Sequence, residues 1–421
     1  MTKKLQLTLL TLSAICLGST NAKASGYNLN EFSATNLGRS FAGTGVVGDD
    51  YSAIAFNPAG MVLKGTGAQV GISEVEMHSN TEGGLYRKAD GAFLGDKPKG
   101  KIRYYATLPH AFSQYKINDD DAVVGFGMYT PFGLASVYNG DWFGASHGVK
   151  TELEVIDFAA GGAYRLTNKL TAGATIIARY VHGDLINETT YLIPGSRNRM
   201  DLDGWGTAYN FGLMYEFTQN TRLGVAYRLN SAHTVKGKHT IYRTNPAMDG
   251  TYDGRSQMTL PNQLTISGYH RLNEKFGLSG SARWTKWNIF DNFVLESSYA
   301  GGTTTVIPEQ WKNVWTFALG LDYYHNDAWT FRTGISEDPT PIPNAELRTA
   351  RIPDTDRKWV SLGASYKYKQ MTFDVGYAHL FMRGASIDNS DHPSNPALAS
   401  TLKSSSKSYS NIYGVQFQYN F

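Results

Sequence analysis

Cysteine is nearly missing from this chain. The one present, Cys16, lies inside an apolar stretch from Leu5 to Leu17 that follows Lys3 and Lys4. That stretch exits through Ala22-Lys23-Ala24 to Ser25, with small residues where a signal peptidase reads, so residues 1–24 are expected to be a signal peptide cut after Ala24. Ile15 before Cys16 is bulky where lipoprotein processing wants Gly or Ala. A chain relieved of Cys16 has no thiol, which excludes disulfides, thiolate metal sites and cysteine nucleophiles.

Net charge is missing too. The formal +3 resides entirely in Lys3, Lys4 and Lys23, and residues 1–24 carry no acid, so the mature chain is about neutral and offers no clustered basic surface for nucleic acid. No apolar run after residue 24 reaches the roughly 20 residues a spanning helix needs. The histidines, ten in all, are scattered without metal-ligand or nucleophile spacing. Neither an enzyme, a metal nor a cofactor is therefore expected.

What is abundant is Gly (44), Tyr (26), Phe (20) and Trp (8), at a mean hydropathy of −0.33. Many aromatics in a chain that is hydrophilic on average suit a transmembrane β-barrel, because only alternate residues of each strand meet lipid. The C-terminus shows the alternation. Tyr413, Val415, Phe417, Tyr419 and Phe421 share one face, and Gly414, Gln416, Gln418 and Asn420 the other. Similar dyads run through Leu223 to Leu229 and through Trp315 to Tyr323, with Arg222, Arg228 and Asp322 on the opposite face.

Short connections at 118–121, 168–169, 218–220, 273–274, 326–327 and 370 read as periplasmic turns. Long polar stretches near 78–100, 134–149, 183–203, 236–255, 296–309, 337–353 and 383–406 read as extracellular loops. Counting between residue 67 and the end predicts about fourteen strands, so residues 65–421 are expected to form an all-β transmembrane antiparallel β-barrel of a Gram-negative outer membrane. A barrel of that size leaves a lumen. Residues 25–64, too broken by Gly and Pro for strands yet carrying Phe32, Leu37, Phe41, Ile54 and Phe56, are expected to fold back into it as a hatch.

Within this frame the residues carry a resemblance. Gly26-Tyr27-Asn28-Leu29-Asn30-Glu31-Phe32, Leu37-Gly38-Arg39, Asp49-Asp50 and Asn57-Pro58-Ala59-Gly60-Met61 resemble the hatch of the long-chain fatty acid transporter family. Matches continue along the barrel at Asp157-Phe158, Leu260-Pro261, Trp329-Thr330-Phe331-Arg332-Thr333-Gly334 and Ile352-Pro353-Asp354-Thr355-Asp356-Arg357. The resemblance implies fourteen strands, a small N-terminal hatch, and passive diffusion of a hydrophobic molecule from an outer groove through internal pockets. It also implies lateral exit at an inward kink of the third strand.

We place that kink at Met128 to Gly133, where Thr130, Pro131, Phe132 and Gly133 are expected to break the ladder: Pro131 lacks a donor and Gly133 tolerates unusual dihedrals. A plain strand end is the alternative. Gly26, Tyr27, Leu29 and Phe32 are the expected gating and ligand-contact residues. Lys312, in Trp311-Lys312-Asn313, stands where the family places a pocket lysine and is the expected partner of a fatty-acid carboxylate. The second basic residue that the resemblance implies after the fifth strand is not evident in His182-Gly183-Asp184-Leu185. An aromatic hydrocarbon, which needs no counter-charge and is imported by some relatives, is thus the alternative cargo. Asp338, Arg348, Asp354, Asp356 and Arg357 are read as a polar network tying hatch to wall, with Asn57, Pro58 and Ala59, by resemblance, as the hatch-side partners. The expected partners are the cargo, outer-membrane lipid and lipopolysaccharide, and the barrel assembly machinery, for a monomer. A surface barrel serving mainly in adhesion is the rival reading.

Overall fold

The structure, a computed structural model, describes residues 26–117, 121–193, 195–391 and 398–421. The expected leader, Ser25 and most of the turn at 118–121 lie outside them. Fourteen antiparallel strands close into one barrel. They are β1 (Gly67–Arg87), β2 (Gly100–Ile117), β3 (Ala122–Val137), β4 (Lys150–Arg165), β5 (Leu170–Glu188) and β6 (Arg197–Thr218). There follow β7 (Thr221–Asn230 and His233–Tyr242), β8 (Gly250–Met258 and Gln263–Arg271), β9 (Phe276–Thr285 and Asn292–Ser297) and β10 (Thr303–Pro308 and Val314–Tyr324). The last are β11 (Trp329–Asp338), β12 (Arg357–Tyr368), β13 (Met371–Met382 and Ala385–Ser390) and β14 (Ser400–Asn420).

Closure removes the sheet edge. β1 and β14 pair without a break from Gly67 opposite Asn420 to Arg87 opposite Ser400, so their backbone groups are satisfied within the wall, as a spanning structure requires. Among the described residues no helix is long and apolar enough to cross a membrane; strands make the crossing. The expected alternation is present: Tyr413 and Val415 are about half exposed, whereas Gln416 and Gln418 are 5% and 0% exposed.

Two features differ from expectation. The polar stretches 78–87, 183–188, 197–203 and 236–242 are paired strand rather than loop. A ladder needs only backbone hydrogen bonds, so strands continue beyond the apolar belt where neither face has to be greasy. In addition five strands are interrupted, at 231–232, 259–262, 286–291, 309–313 and 383–384.

Residues 26–65 run through the lumen. Two short helices, α1 (Ala34–Leu37) and α2 (Ala53–Phe56), precede a 3₁₀ turn, Pro58–Leu63. The side chain of Ser33 caps α1 by accepting from Asn36 N–H at 3.0 Å, and that of Asn57 accepts from Ala59 N–H at 3.1 Å with Pro58 opening the turn. A β-carbon on Gly60 would overlap the carbonyl of Gly45, so only glycine lets these two passes touch.

The segment meets the wall nearly all the way round. Ala34 N–H donates to Gln416 of β14 at 2.8 Å, Ser40 bonds Ser361 of β12 at 2.7 Å, and Asn57 Nδ2 donates to Leu213 O of β6 at 3.2 Å. Gln114 of β2 donates to Met61 O at 2.9 Å. A buried ion network anchors its middle: Arg39, 0% exposed, pairs with Asp49 at 2.7 Å and Asp322 of β10 at 3.1 Å, and Arg332 of β11 pairs with the same Asp49 at 2.9 Å. Burial would push the Asp49 carboxyl up, but the two guanidinium groups hold it well below the usual carboxylate range.

Candidate functional site

The third strand is where the wall departs from a regular barrel. β2 and β3 pair from Ile117 opposite Ala122 only as far as Ala111 opposite Met128. On the β4 side the register jumps between Tyr129 opposite Asp157 and Phe132 opposite Val155, leaving Thr130 and Pro131 bulged.

From there β3 turns inward and pairs with the N-terminal segment instead. Leu29 N–H donates to Pro131 O at 2.9 Å, Gly133 N–H donates to Tyr27 O at 3.0 Å, and Asn28 bridges Phe132. β2 is left without a β3 partner over residues 101–110 except for one bridge, Ile102 to Tyr138, so the wall has a gap. Pro109 sits in this bare stretch of β2, and a proline inside a strand is the edge signal that sequence reading passed over.

Buried charges fix the kink from behind. Arg179, 0% exposed, donates through Nε and Nη2 to the two oxygens of Asp157 at 2.6 and 2.8 Å. Arg228 reaches Asp157 at 3.2 Å and the Tyr129 hydroxyl at 2.6 Å, and Arg179 lies over the Phe132 ring at 5.4 Å.

Three spaces adjoin one another behind the gap. A cavity of about 310 Å³ lies directly inside it, lined by Val75, Met77, Tyr104, Leu108, Leu134, Leu153, Leu380 and Ile412, with Tyr27 and Leu29 on the segment side. Its charged and histidine members are Glu31, Glu152, Glu154, His182, Asp354 and Arg357, and several serine and threonine hydroxyls also face it. A smaller, mainly apolar pocket of about 50 Å³ shares Tyr27, Leu134, Glu152 and Leu153 with it and adds Leu185, Met258, Phe290, Phe293 and Ile352, with Thr151 and Arg351 at its polar side. Beyond, at the end of the barrel away from Gly67 and Asn420, a polar cavity of about 360 Å³ is lined by His147, Asn187, Asn198, His239, Asn389 and Asp391. Leu185 and Arg351 line both of the latter two.

The strand interruptions explain the aromatic character of this centre. Those of β9 and β10 turn Trp287, Phe290 and Trp311 inward around the Tyr27 ring, at centroid distances of 4.7, 6.0 and 5.6 Å, and Phe132 adds a fourth ring at 6.2 Å. Burial pushes the Tyr27 hydroxyl up, with Glu309 adding to the effect, and its oxygen has no hydrogen-bond partner among the described residues. Glu309, itself buried, accepts from Trp311 Nε1 at 2.8 Å.

Of the expected network, Asp354 and Arg357 do hold the segment: Gly26 N–H donates to Asp354 Oδ2 at 3.0 Å and Arg357 donates to Gly26 O at 3.2 Å. Asp338 supports Arg357 at 3.1 Å. Arg348 instead donates to the backbone carbonyls of Asp354 at 2.9 Å and Ser386 at 2.7 Å, and Asp356 faces Arg383 at 3.8 Å. Asn57, Pro58 and Ala59 are not the partners of this group; they press against β5 and β6 at Gly173 and Gly212. The expected pairing fails because the clasp forms at the first described residue rather than at the 3₁₀ turn.

Phe32 stacks on Phe56 at 4.6 Å and lies 4.7 Å from Tyr129, in the anchored part of the segment. Lys312 is exposed and lines none of the three spaces. The interruption of β10 turns Trp311 inward and Lys312 outward, since neighbours in extended chain face opposite ways. Arg351 was not singled out by sequence reading, and its place in a long polar loop carried no periodic signal.

The chain is similar to known proteins over nearly its whole length. Residues 15–421 match the family model described as outer membrane protein transport protein (OMPP1/FadL/TodX). The chain is 30% identical to a long-chain fatty acid transport protein of Salmonella typhi, over 99% of this chain and 100% of that one. It is 27% identical to outer membrane protein P1 of Haemophilus influenzae, over 98% of each. Among solved structures, a Pseudomonas aeruginosa FadL homologue superposes with a TM-score of 0.85 at 24% identity, covering 94% of this chain and 100% of that one. The Ralstonia pickettii toluene transporter TbuX does so at 0.65 and 18%, covering 94% and 99%.

Proposed function

The chain belongs to the outer-membrane transport protein family just described, and from that premise we propose that it is an outer-membrane channel for passive uptake of long-chain fatty acids or similar hydrophobic small molecules. The cargo is captured in the apolar centre beside Tyr27 and leaves sideways between β2 and β3. The observation that carries this reading is the coincidence of the unpaired β2–β3 stretch with the 310 Å³ cavity immediately behind it, the two being separated from the apolar pocket by Tyr27 and Leu134.

No energy input is required. Burial gives roughly 0.8 kcal/mol per methylene, so a dozen methylenes leaving water supply on the order of 10 kcal/mol for capture. Discharge into the bilayer core is then downhill for the same chain, and it bypasses the lipopolysaccharide leaflet that blocks direct entry. Release needs the pocket to weaken. Withdrawal of Tyr27 and Leu29 does that, because each is bonded to β3 only through its backbone and contributes its side chain to the pocket wall.

We read residues 25–64 as the hatch of this channel, residues 1–24 as its leader, and the protein as a monomer that meets lipid and lipopolysaccharide and performs no catalytic step. Support for the last point is the neighbourhood of the cavity, where Asp354 and Arg357 are engaged in clasping Gly26 and Glu152 is paired with Lys150. The four-ring cage around Tyr27 favours a second cargo, an aromatic hydrocarbon, whose ring would take the place of the tyrosine.

Cells lacking such a channel should gain uptake of labelled palmitate when this chain is placed in their outer membrane. No gain for palmitate or toluene, with the barrel correctly assembled, would sink the proposal.

A further inference from the structure

We infer that Arg351 is the carboxylate receptor of this channel, standing at the boundary between the polar and apolar spaces, and that the cargo is therefore a long-chain carboxylic acid rather than a neutral hydrocarbon. The inference rests on the uptake reading above and names its substrate class.

Arg351 is only 8% exposed, and its guanidinium donates to Thr151 Oγ1 at 3.4 Å and Asn187 Oδ1 at 2.8 Å. It pairs with no carboxylate among the described residues, unlike Arg39, Arg179, Arg228, Arg332 and Arg357, each of which has an aspartate within 3.3 Å. Of the carboxylates near it, Glu152 lines the same small pocket but is paired with Lys150 at 2.7 Å, and Glu309 acts on it only through space and forms no ion pair with it. A buried cation without a counter-ion is costly unless an anion visits it.

The shape of the surroundings says which anion. Arg351 lines the 360 Å³ polar cavity and the 50 Å³ apolar pocket together. A head group on its polar side thus continues into a chain on its apolar side, past Tyr27 and into the 310 Å³ cavity. Arg283 also lacks a carboxylate, but it faces only spaces of about 30 and 20 Å³, too small for a head group. A planar guanidinium can hold both oxygens of a carboxylate, and the low dielectric of the pocket strengthens the pair.

The test is competition binding to the detergent-solubilised mature protein with palmitate, methyl palmitate and hexadecane, in wild type, Arg351→Met and Arg351→Lys. Palmitate should bind wild type best. R351M should lose roughly ten- to a hundredfold in palmitate affinity, the range for a charged hydrogen bond, while methyl palmitate changes little. R351K should recover part of the palmitate preference. Wild type binding the ester as tightly as the acid, or R351M keeping wild-type palmitate affinity, would overturn the inference and leave the uptake reading standing. If R351M loses both probes because the loop is displaced, R351K decides: acid preferred over ester supports the assignment, no preference overturns it. Wild type binding none of the three would overturn the inference, and failure to bind toluene as well would sink the uptake reading with it.

Discussion

Deleting residues 25–31 should reduce palmitate uptake to the level of cells without the protein, while the barrel still shows its heat-modifiable shift. The deletion removes the backbone that Pro131 O and Gly133 N–H use, together with the Tyr27 ring and the Leu29 side chain that wall the pocket. Two consequences act in the same direction. Capture weakens because the aromatic cage loses its central ring. The bared edge of β3 also has an obvious alternative partner in the bare stretch of β2, and pairing there would close the gap. The rest of the segment stays put, because Arg39, Asp49, Asp322 and Arg332 hold it from residue 39 onward. Uptake at the wild-type rate would show that neither the segment nor the gap lies on the transport route.

Asp157→Ala should be the most damaging single substitution in the kink. It leaves Arg179 and Arg228, 0% and 6% exposed, without their shared counter-ion. Breaking a buried pair in this way costs about 3–5 kcal/mol, because a desolvated charge is stranded. Two are stranded here, and Tyr129 and Phe132 lose the arginines they rest on. The expected result is a large drop in the temperature at which the folded band disappears, together with slower uptake. Asp157→Asn should fall between, since it keeps an acceptor but not the charge. A midpoint within a degree or two of wild type would contradict the view that this network holds the bend.

The two expectations draw on different layers of the molecule. Pro131 and Gly133 mark the bend by their own backbone chemistry, and that was legible beforehand. The use of the vacated edge by Leu29 and Tyr27 was not, because the partners lie about a hundred residues apart and no local pattern joins them. Likewise Asn57-Pro58-Ala59 reads as a distinct motif, yet which part of the wall it meets depends on how the whole segment coils inside the lumen. Lys312 and Arg351 make the same point for charge. Both are single cations in irregular stretches, and only the interruption of β10 and the path of the loop before β12 decide that the first faces out and the second in.

By itself the sequence determined that this is an outer-membrane barrel of about fourteen strands, with a weak point at Pro131 and an apolar segment in excess of the wall. Side-chain alternation, proline's missing donor and residue hydrophobicity are local properties that each stretch of chain carries with it. The tertiary structure alone decided where the segment is clasped, which aromatic rings surround Tyr27, and which cation borders the pocket. Those outcomes depend on strand interruptions and on contacts between residues hundreds of positions apart, whose free energy exists only once the barrel has closed around them.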